Sequence, residues 1–333
     1  MKTISKSLSI SFVIIGTVLG AGFLSGKEIY EFIDGQDIFL SSFFIFLLFT
    51  LITSFLLSTE LKETPIYKIS YFIFFFGNLV ITCGMLSAVD SLFTIIFPWS
   101  KGTMIFPIIT IIFSNVVMFG GTKSLKNVNT FLVPLIILVI ILFVFIPYDN
   151  VVIKNGKINP IKLSSYVGLN MFLAIPVISN LGKKESKRVI ILASIISALV
   201  LSLLVFMIHT TIVGNSLKVL NSDLPILQIL SNNKFLYICY ILVLYFGIIT
   251  TLLSAHYPLF YTFKDTFYGN FCRVILTVLC VVLSRIGFHN IISKVYPFLG
   301  IVGLCFIVIF AVYLLFFRKR RQQDTLKPLK DRV

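Results

Sequence analysis

The residues best able to do chemistry lie inside stretches that are otherwise apolar. Residues 16–28, GTVLGAGFLSGKE, hold Gly16, Gly20, Gly22 and Gly26, followed by the adjacent opposite charges Lys27 and Glu28. Residues 164–182, SSYVGLNMFLAIPVISNLG, hold Gly168, Asn170 and Pro176. Glycine weakens a helix, proline removes a backbone donor and clashes with the preceding turn, and asparagine competes for backbone groups. Where a helix opens, its free N–H groups attract carboxylates and its free carbonyls bind cations. A third stretch, YFGIITTLLSAHYP, supplies the hydroxyls of Thr250, Thr251 and Ser254. Set beside such carbonyls, they would suit a hard cation such as sodium.

A packing role competes with that chemistry. Gly16/Gly20 and Gly22/Gly26 are both GxxxG spacings, which let membrane helices approach closely. What tips the balance is the recurrence of helix breakers in a second segment.

The surrounding chain must then be membrane helices. It is 58% hydrophobic and 12% charged, with a mean hydropathy of +1.02, far from the average soluble domain. Apolar runs of about 17–25 residues, enough to span a bilayer, predict ten segments: 8–33, 38–59, 69–97, 104–121, 127–147, 163–182, 187–214, 235–263, 270–288 and 291–317. The ninth and tenth divide at GFHN, 287–290. Most of the 28 basic residues fall on the side of the N-terminus, which predicts both ends in the cytoplasm and an even number of spans. The +15 net charge is therefore assigned to topology and not to nucleic acid, with the basic tail read as a positive-inside anchor and binding to anionic lipid headgroups as the alternative. MKTISKS and the apolar run behind it resemble a signal peptide, but apolar character resumes past the glycines and nine more spans follow. The first and sixth segments, both interrupted, lie five spans apart, and an odd offset inverts the second copy. This is the pattern of inverted-repeat transporters, in which interrupted helices mark the binding site. The expected division is 1–150 for the first five-helix repeat, 151–317 for the second and 318–333 for the tail.

Other residues leave alternatives open. Lys27, Glu28 and Asp90 (in CGMLSAVDSLF) are charges in or near membrane segments. They could form an outer gate pairing Lys27 with Asp90 or Glu28, or a proton-titrating site at Glu28 or Asp90, or they could snorkel to the headgroups. His209 and His256 fit helix packing better than proton relay. In the 215–234 loop, Leu217, Leu220, Leu224, Leu227 and Leu230 form an amphipathic stretch broken by Pro225, either an interfacial helix or a lid. The five cysteines form no CxxC pair, and HExxH, GxSxG and GxxxxGK[ST] are absent. No metal centre, cofactor or enzyme chemistry is expected.

GTVLGAGFLSGKEIYEF resembles the first-helix motif of the YkvI-type bacterial membrane proteins, G-T-x-x-G-A-G-F-x-S-G-x-E. The resemblance extends through GGTKSLKNVNTFLVPLI, YVGLNMFLAIPVISNLG, the Thr250–Thr251 pair and GFHNIISKVYPFLGIVGL, nearly the whole chain. It departs at Lys27, where Gln is usual, and in the eighth helix after Thr251. The family belongs to the amino acid–polyamine–organocation superfamily, similar to the leucine-transporter fold. The resemblance implies an all-α membrane protein of two inverted five-helix repeats with interrupted first and sixth helices. It implies substrate at Gly20, Ala21, Gly22, Phe23, Asn170, Phe172 and Ala174. It also implies a sodium site between the first-helix backbone, here Gly16 and Val18, and Thr250, Thr251 and Ser254. Relatives that couple to protons can carry a Lys in the fifth helix; 127–147 has none, which leans toward sodium. The function expected is cation-coupled symport of a small amino-acid-like or zwitterionic solute across the bacterial cell membrane, with a non-transporting, germinant-receptor-like sensor as the alternative.

Overall fold

The computed structural model describes residues 2–59, 65–141, 156–182, 185–213, 222–263 and 267–330. Among them the chain is helical, with no strand. The helices are α1 (Lys2–Val18), α2 (Ala21–Ser25), α3 (Lys27–Ile33), α4 (Ile38–Ser58), α5 (Pro65–Ile96), α6 (Ile105–Met118), α7 (Gly121–Ile141), α8 (Pro160–Leu181), α9 (Lys187–Val213), α10 (Pro225–Ile229), α11 (Lys234–Thr262), α12 (Gly269–Ser284), α13 (Phe288–Asn290) and, after a π-helical turn over Ile291–Val295, α14 (Tyr296–Lys330). Among the described residues six helical stretches are long and apolar enough to cross a membrane: Ile38–Ser58, Ser70–Ile96, Gly121–Ile141, Lys187–Val213, Lys234–Thr262 and Phe288–Leu314. Thr3–Val18, Ile105–Met118 and Gly269–Ser284 are shorter apolar helices.

Polarity is distributed opposite to that of a water-soluble protein. Phe39, Phe43 and Leu51 of α4 and Ile109, Ile112 and Val116 of α6 are exposed, while Ser11, Thr17, Asn78, Asn129, Asn170 and Ser254 are buried. Lipid accepts the first group; the second must find partners within the protein. Helix starts are fixed by side chains that accept orphan N–H groups. Asp37 caps α4 through Leu40 N at 2.9 Å, Asn159 caps α8 through Lys162 N at 3.1 Å, and Asn233 caps α11 through Leu236 N at 3.2 Å.

Segment ends expected on the same side of a membrane meet. At one end the Gln36 side chain accepts from Asn159 N and Asp37 N donates to Gly156 O. At the other, Lys6 pairs with Glu185 at 3.1 Å and Gly182 abuts the Leu57 carbonyl. α1 runs between α7, α8, α9 and α11, and α8 is flanked by α4 and α14, so the two segments singled out in the sequence are central.

They differ in kind. The first is broken twice, at Leu19–Gly20 and at Gly26. The sixth is not broken: α8 continues through Gly168, Asn170 and Pro176 to Leu181. The expected interruption of the sixth helix is thus corrected. Gly168 serves contact, since a Cβ there would lie 2.7 Å from Gly300 O, and one on Gly303 would lie 2.4 Å from Gly168 O. The glycine is what lets α14 cross α8 at backbone distance.

Candidate functional site

The site begins where α1 stops. Leu19 N still donates to Ile15 O at 2.8 Å, but Gly20 N turns back to Val18 O at 2.7 Å and Gly20 is extended (φ −82, ψ −177). One turn of α2 follows. Gly26 then takes a left-handed conformation (φ +79) that closes α2 and opens α3, a conformation an L side chain adopts only at a cost.

The last carbonyls of α1 are met by α11. Thr251 Oγ1 lies 3.1 Å from Gly16 O and 3.2 Å from Thr17 O, donating across to this end. Thr17 Oγ1 lies 3.0 Å from Ser254 Oγ. Thr251 thus meets two carbonyls of α1, and the Thr17 and Ser254 hydroxyls, which also bond Val13 O and Thr250 O in their own helices, meet each other. Of the expected cation ligands, Gly16, Thr251 and Ser254 are brought together. The Val18 carbonyl accepts from Gly20 N, and the Thr250 hydroxyl donates to Gly247 O at 3.0 Å, an in-helix bond of the kind that Thr17 makes to Val13 O and Ser254 to Thr250 O. Thr17 was missed by sequence reasoning, although it sits in the quoted GT pair.

On the other side of the break, no side chain caps the N-terminus of α2, and Ala21, Gly22, Phe23, Leu24 and Ser25 are all buried. A Cβ on Gly20 would meet Met85 Sδ and Thr251, at 3.1–3.2 Å. A Cβ on Gly22 would lie 2.6 Å from Glu28 Oε2, so the Glu28 carboxyl group rests against the opened backbone. Glu28 is only 4% exposed and accepts from Asn170 Nδ2 at 3.0 Å. Asn170 donates as well to Tyr166 O. Tyr166 is fully buried, packs on Phe32 and Phe49, and its hydroxyl has no hydrogen-bond partner. Tyr240 of α11 donates to Leu24 O and ties down the end of α2.

Gly20, Ala21, Gly22, Phe23 and Asn170 thus lie at the break. Phe172 does not: it faces Gly77 and Phe74 of α5 and the backbone at Gly303, as a packing residue. Ala174 is simply buried within α8. Tyr166 was the readable omission, one helical turn before Asn170 and therefore on the same face.

The charges are rearranged relative to expectation. Lys27 and Glu28 are buried, Lys27 at 7% exposure, and Asp223 and Glu31 are among the charges within electrostatic reach of its ammonium. Asp90 lies within electrostatic reach of Arg285. Asp223, missed in the sequence, also accepts from Ser91 Oγ at 3.2 Å. It lines a pocket of about 330 Å³ with Ile95, Gln228, Ser231 and Tyr237. Leu217 and Leu220 lie outside the described residues. Leu224, Leu227 and Leu230 are buried, and α10 packs on α2, α9 and α11. The described part of the segment, from 222 on, is therefore packed inward against α2. His256 is buried with Ser114 Oγ 2.8 Å from its Nδ1, as a satisfied packing residue.

No protein-family profile matches the chain. It is 28% identical over 338 residues to the uncharacterized membrane protein YkvI of Bacillus subtilis, covering 90% of this chain and 93% of that protein. To the uncharacterized protein YyaD of the same organism it is 22% identical over 331 residues, covering 90% and 95%. Among solved structures it is similar to Mhp1, a nucleobase-cation-symport-1 family transporter in a closed conformation with bromovinylhydantoin bound. The TM-score is 0.57 at 14% identity, over 94% of this chain and 78% of that one. The fold is thus shared with a secondary transporter.

Proposed function

We propose that this chain is a secondary active transporter of a small amino-acid-like or other zwitterionic solute, coupled to a cation and working by alternating access. The observation that carries the reading is the doubly broken α1–α3, buried at the centre and presenting both kinds of backbone end. Its carbonyl end, with Thr17, Thr251 and Ser254, is an all-oxygen set that fits a hard cation once the hydroxyls rotate their protons away. Its N–H end at Ala21–Gly22 would receive a carboxylate. In this reading 1–150 and 151–317 are two inverted five-helix repeats of a ten-span, leucine-transporter-type fold. Both termini lie in the cytoplasm of a bacterial cell, and rocking of one bundle on the other exposes the site alternately.

The test is uptake of labelled amino acids into proteoliposomes under a sodium or a proton gradient. Accumulation supports the reading; binding without accumulation would identify a sensor instead. Gly22→Leu places a side chain where the Glu28 carboxyl group now lies and should abolish uptake. If uptake survives, the site is elsewhere. A thermal-shift series with and without sodium tests the oxygen cluster, with stabilisation expected only in the presence of the ion.

A further inference from the structure

We infer that Glu28 is a proton-binding site, and that its carboxyl group carries the coupling proton by being protonated while α3 is docked on α8 and released as α3 moves away. The titration stands on the geometry of the site; its part in coupling rests on the transport reading above.

A buried carboxylate is costly unless its charge is compensated. Asn170 offers Glu28 one neutral donor. The neighbouring cation, Lys27, has Asp223 and Glu31 within electrostatic reach. A proton is the compensation that needs no further space in a site packed by Gly22, Ile292 and Asn170. The ionised form accepts from Asn170. The fully buried Tyr166 hydroxyl lies within the field of the Glu28 carboxyl group without bonding to it and has no hydrogen-bond partner, so a small shift of either side chain would give a protonated Glu28 an acceptor.

The ionisable groups around Glu28 are few. α8 brings Tyr166, and Tyr296 follows the π turn, both within reach of Glu28. The π turn itself holds Lys294. α2 has none. α9, which touches the α2–α3 joint through Ile208 and Ile212, has His209 beside them in sequence. On α3 itself stand Lys27, Tyr30 and Glu31. Gly26, at the joint, provides the backbone freedom for α3 to move.

The experiment is infrared difference spectroscopy of the full chain reconstituted in lipid, stepped reversibly between alkaline and acidic buffer. A distinct component of the carboxylic-acid carbonyl band should rise on acidification and be absent from Glu28→Gln, the other carboxyl groups being common to both proteins. Asn170→Ala removes a donor to the ionised form, so the midpoint of the band should move to higher pH by about one unit or more. Tyr166→Phe, which deletes a single buried oxygen, should shift the band frequency in a protein that keeps Glu28, and it serves if Glu28→Gln does not fold. A band unchanged in Glu28→Gln, or indifferent to both Asn170→Ala and Tyr166→Phe, overturns the inference. Failure of amino-acid uptake with the band intact would overturn the transport reading alone. Uptake driven equally well by sodium in Glu28→Gln would leave transport standing and remove the proton from it.

Discussion

The two central segments carry the same kinds of helix-weakening residue and end in opposite states. In α1–α3 the glycines open the backbone; in α8 Gly168 and Pro176 leave the helix whole. The difference lies in what each glycine faces. Gly26 has a positive φ and Gly20 is extended at a helix start, so these two are backbone requirements. Gly168 faces backbone atoms of α14, so it is a contact requirement. Gly16 belongs with the second class despite its position in the first segment, since a Cβ there would strike the Asn129 side chain. A glycine count therefore marks candidates for a break without choosing among them. The state of α8 also bears on mechanism: it presents side chains, Asn170 and Tyr166, to the site, whereas α1–α3 presents backbone.

The sharpest way to break this comparison is to add bulk at each kind of glycine. Gly168→Leu drives a side chain into Gly300 O and Leu304 N, at 2.7 and 2.8 Å from its Cβ. Backbone cannot yield, and a loss of about 3 kcal/mol or more is expected, read as collapse of the monodisperse peak and of the unfolding midpoint in detergent. Gly26→Ala should cost less, about 1–2 kcal/mol, from the left-handed backbone and from displacing Ile212 Cδ1, 2.2 Å from the new Cβ. Equal losses would mean that both glycines serve packing.

Much of this was legible before the fold was known, and the parts that were not have specific causes. The break at GTVLGAG follows from residue types at a helix interruption, the α1–α11 pairing through Thr251 is what the family resemblance implies, and Asn170 reaches the break although its own helix is whole. For Glu28 the sequence leaves gate, proton-titrating site and headgroup contact all open, because a charge at the end of an apolar run ordinarily marks an interface; the tertiary neighbours Asn170 and Gly22 are what turn it inward. Asp223 and Tyr296 are distant in sequence from the elements they serve, and no local pattern ties them to α3. Phe172 would face a solute only in an opened segment; in the continuous helix it points at Gly77.

The adjacent threonines sharpen the comparison at the carbonyl end. Thr251→Val removes the donor to Gly16 O and Thr17 O. It should cost about 1–2 kcal/mol and also erase any sodium-dependent gain in unfolding temperature. Thr250→Val removes a bond that stays within α11 and should lower stability by less than Thr251→Val while keeping the sodium response. If the two variants behave alike, the end of α1 is not held by α11 in the way the distances indicate.

The smallest effect is expected at Pro176, and it decides how far the contrast between the segments extends. Pro176 supplies no N–H to the helix ladder, yet α8 passes through it intact. Alanine would restore one backbone donor and remove a buried ring, two changes of opposite sign. The net change in unfolding free energy should stay within about 1 kcal/mol. Uptake should also persist, because a helix that stays closed has no need of its weak point. A Pro176→Ala protein that folds normally and no longer transports would show that α8 opens during the cycle. The contrast with α1–α3 would then belong to one conformation of the protein and not to its design.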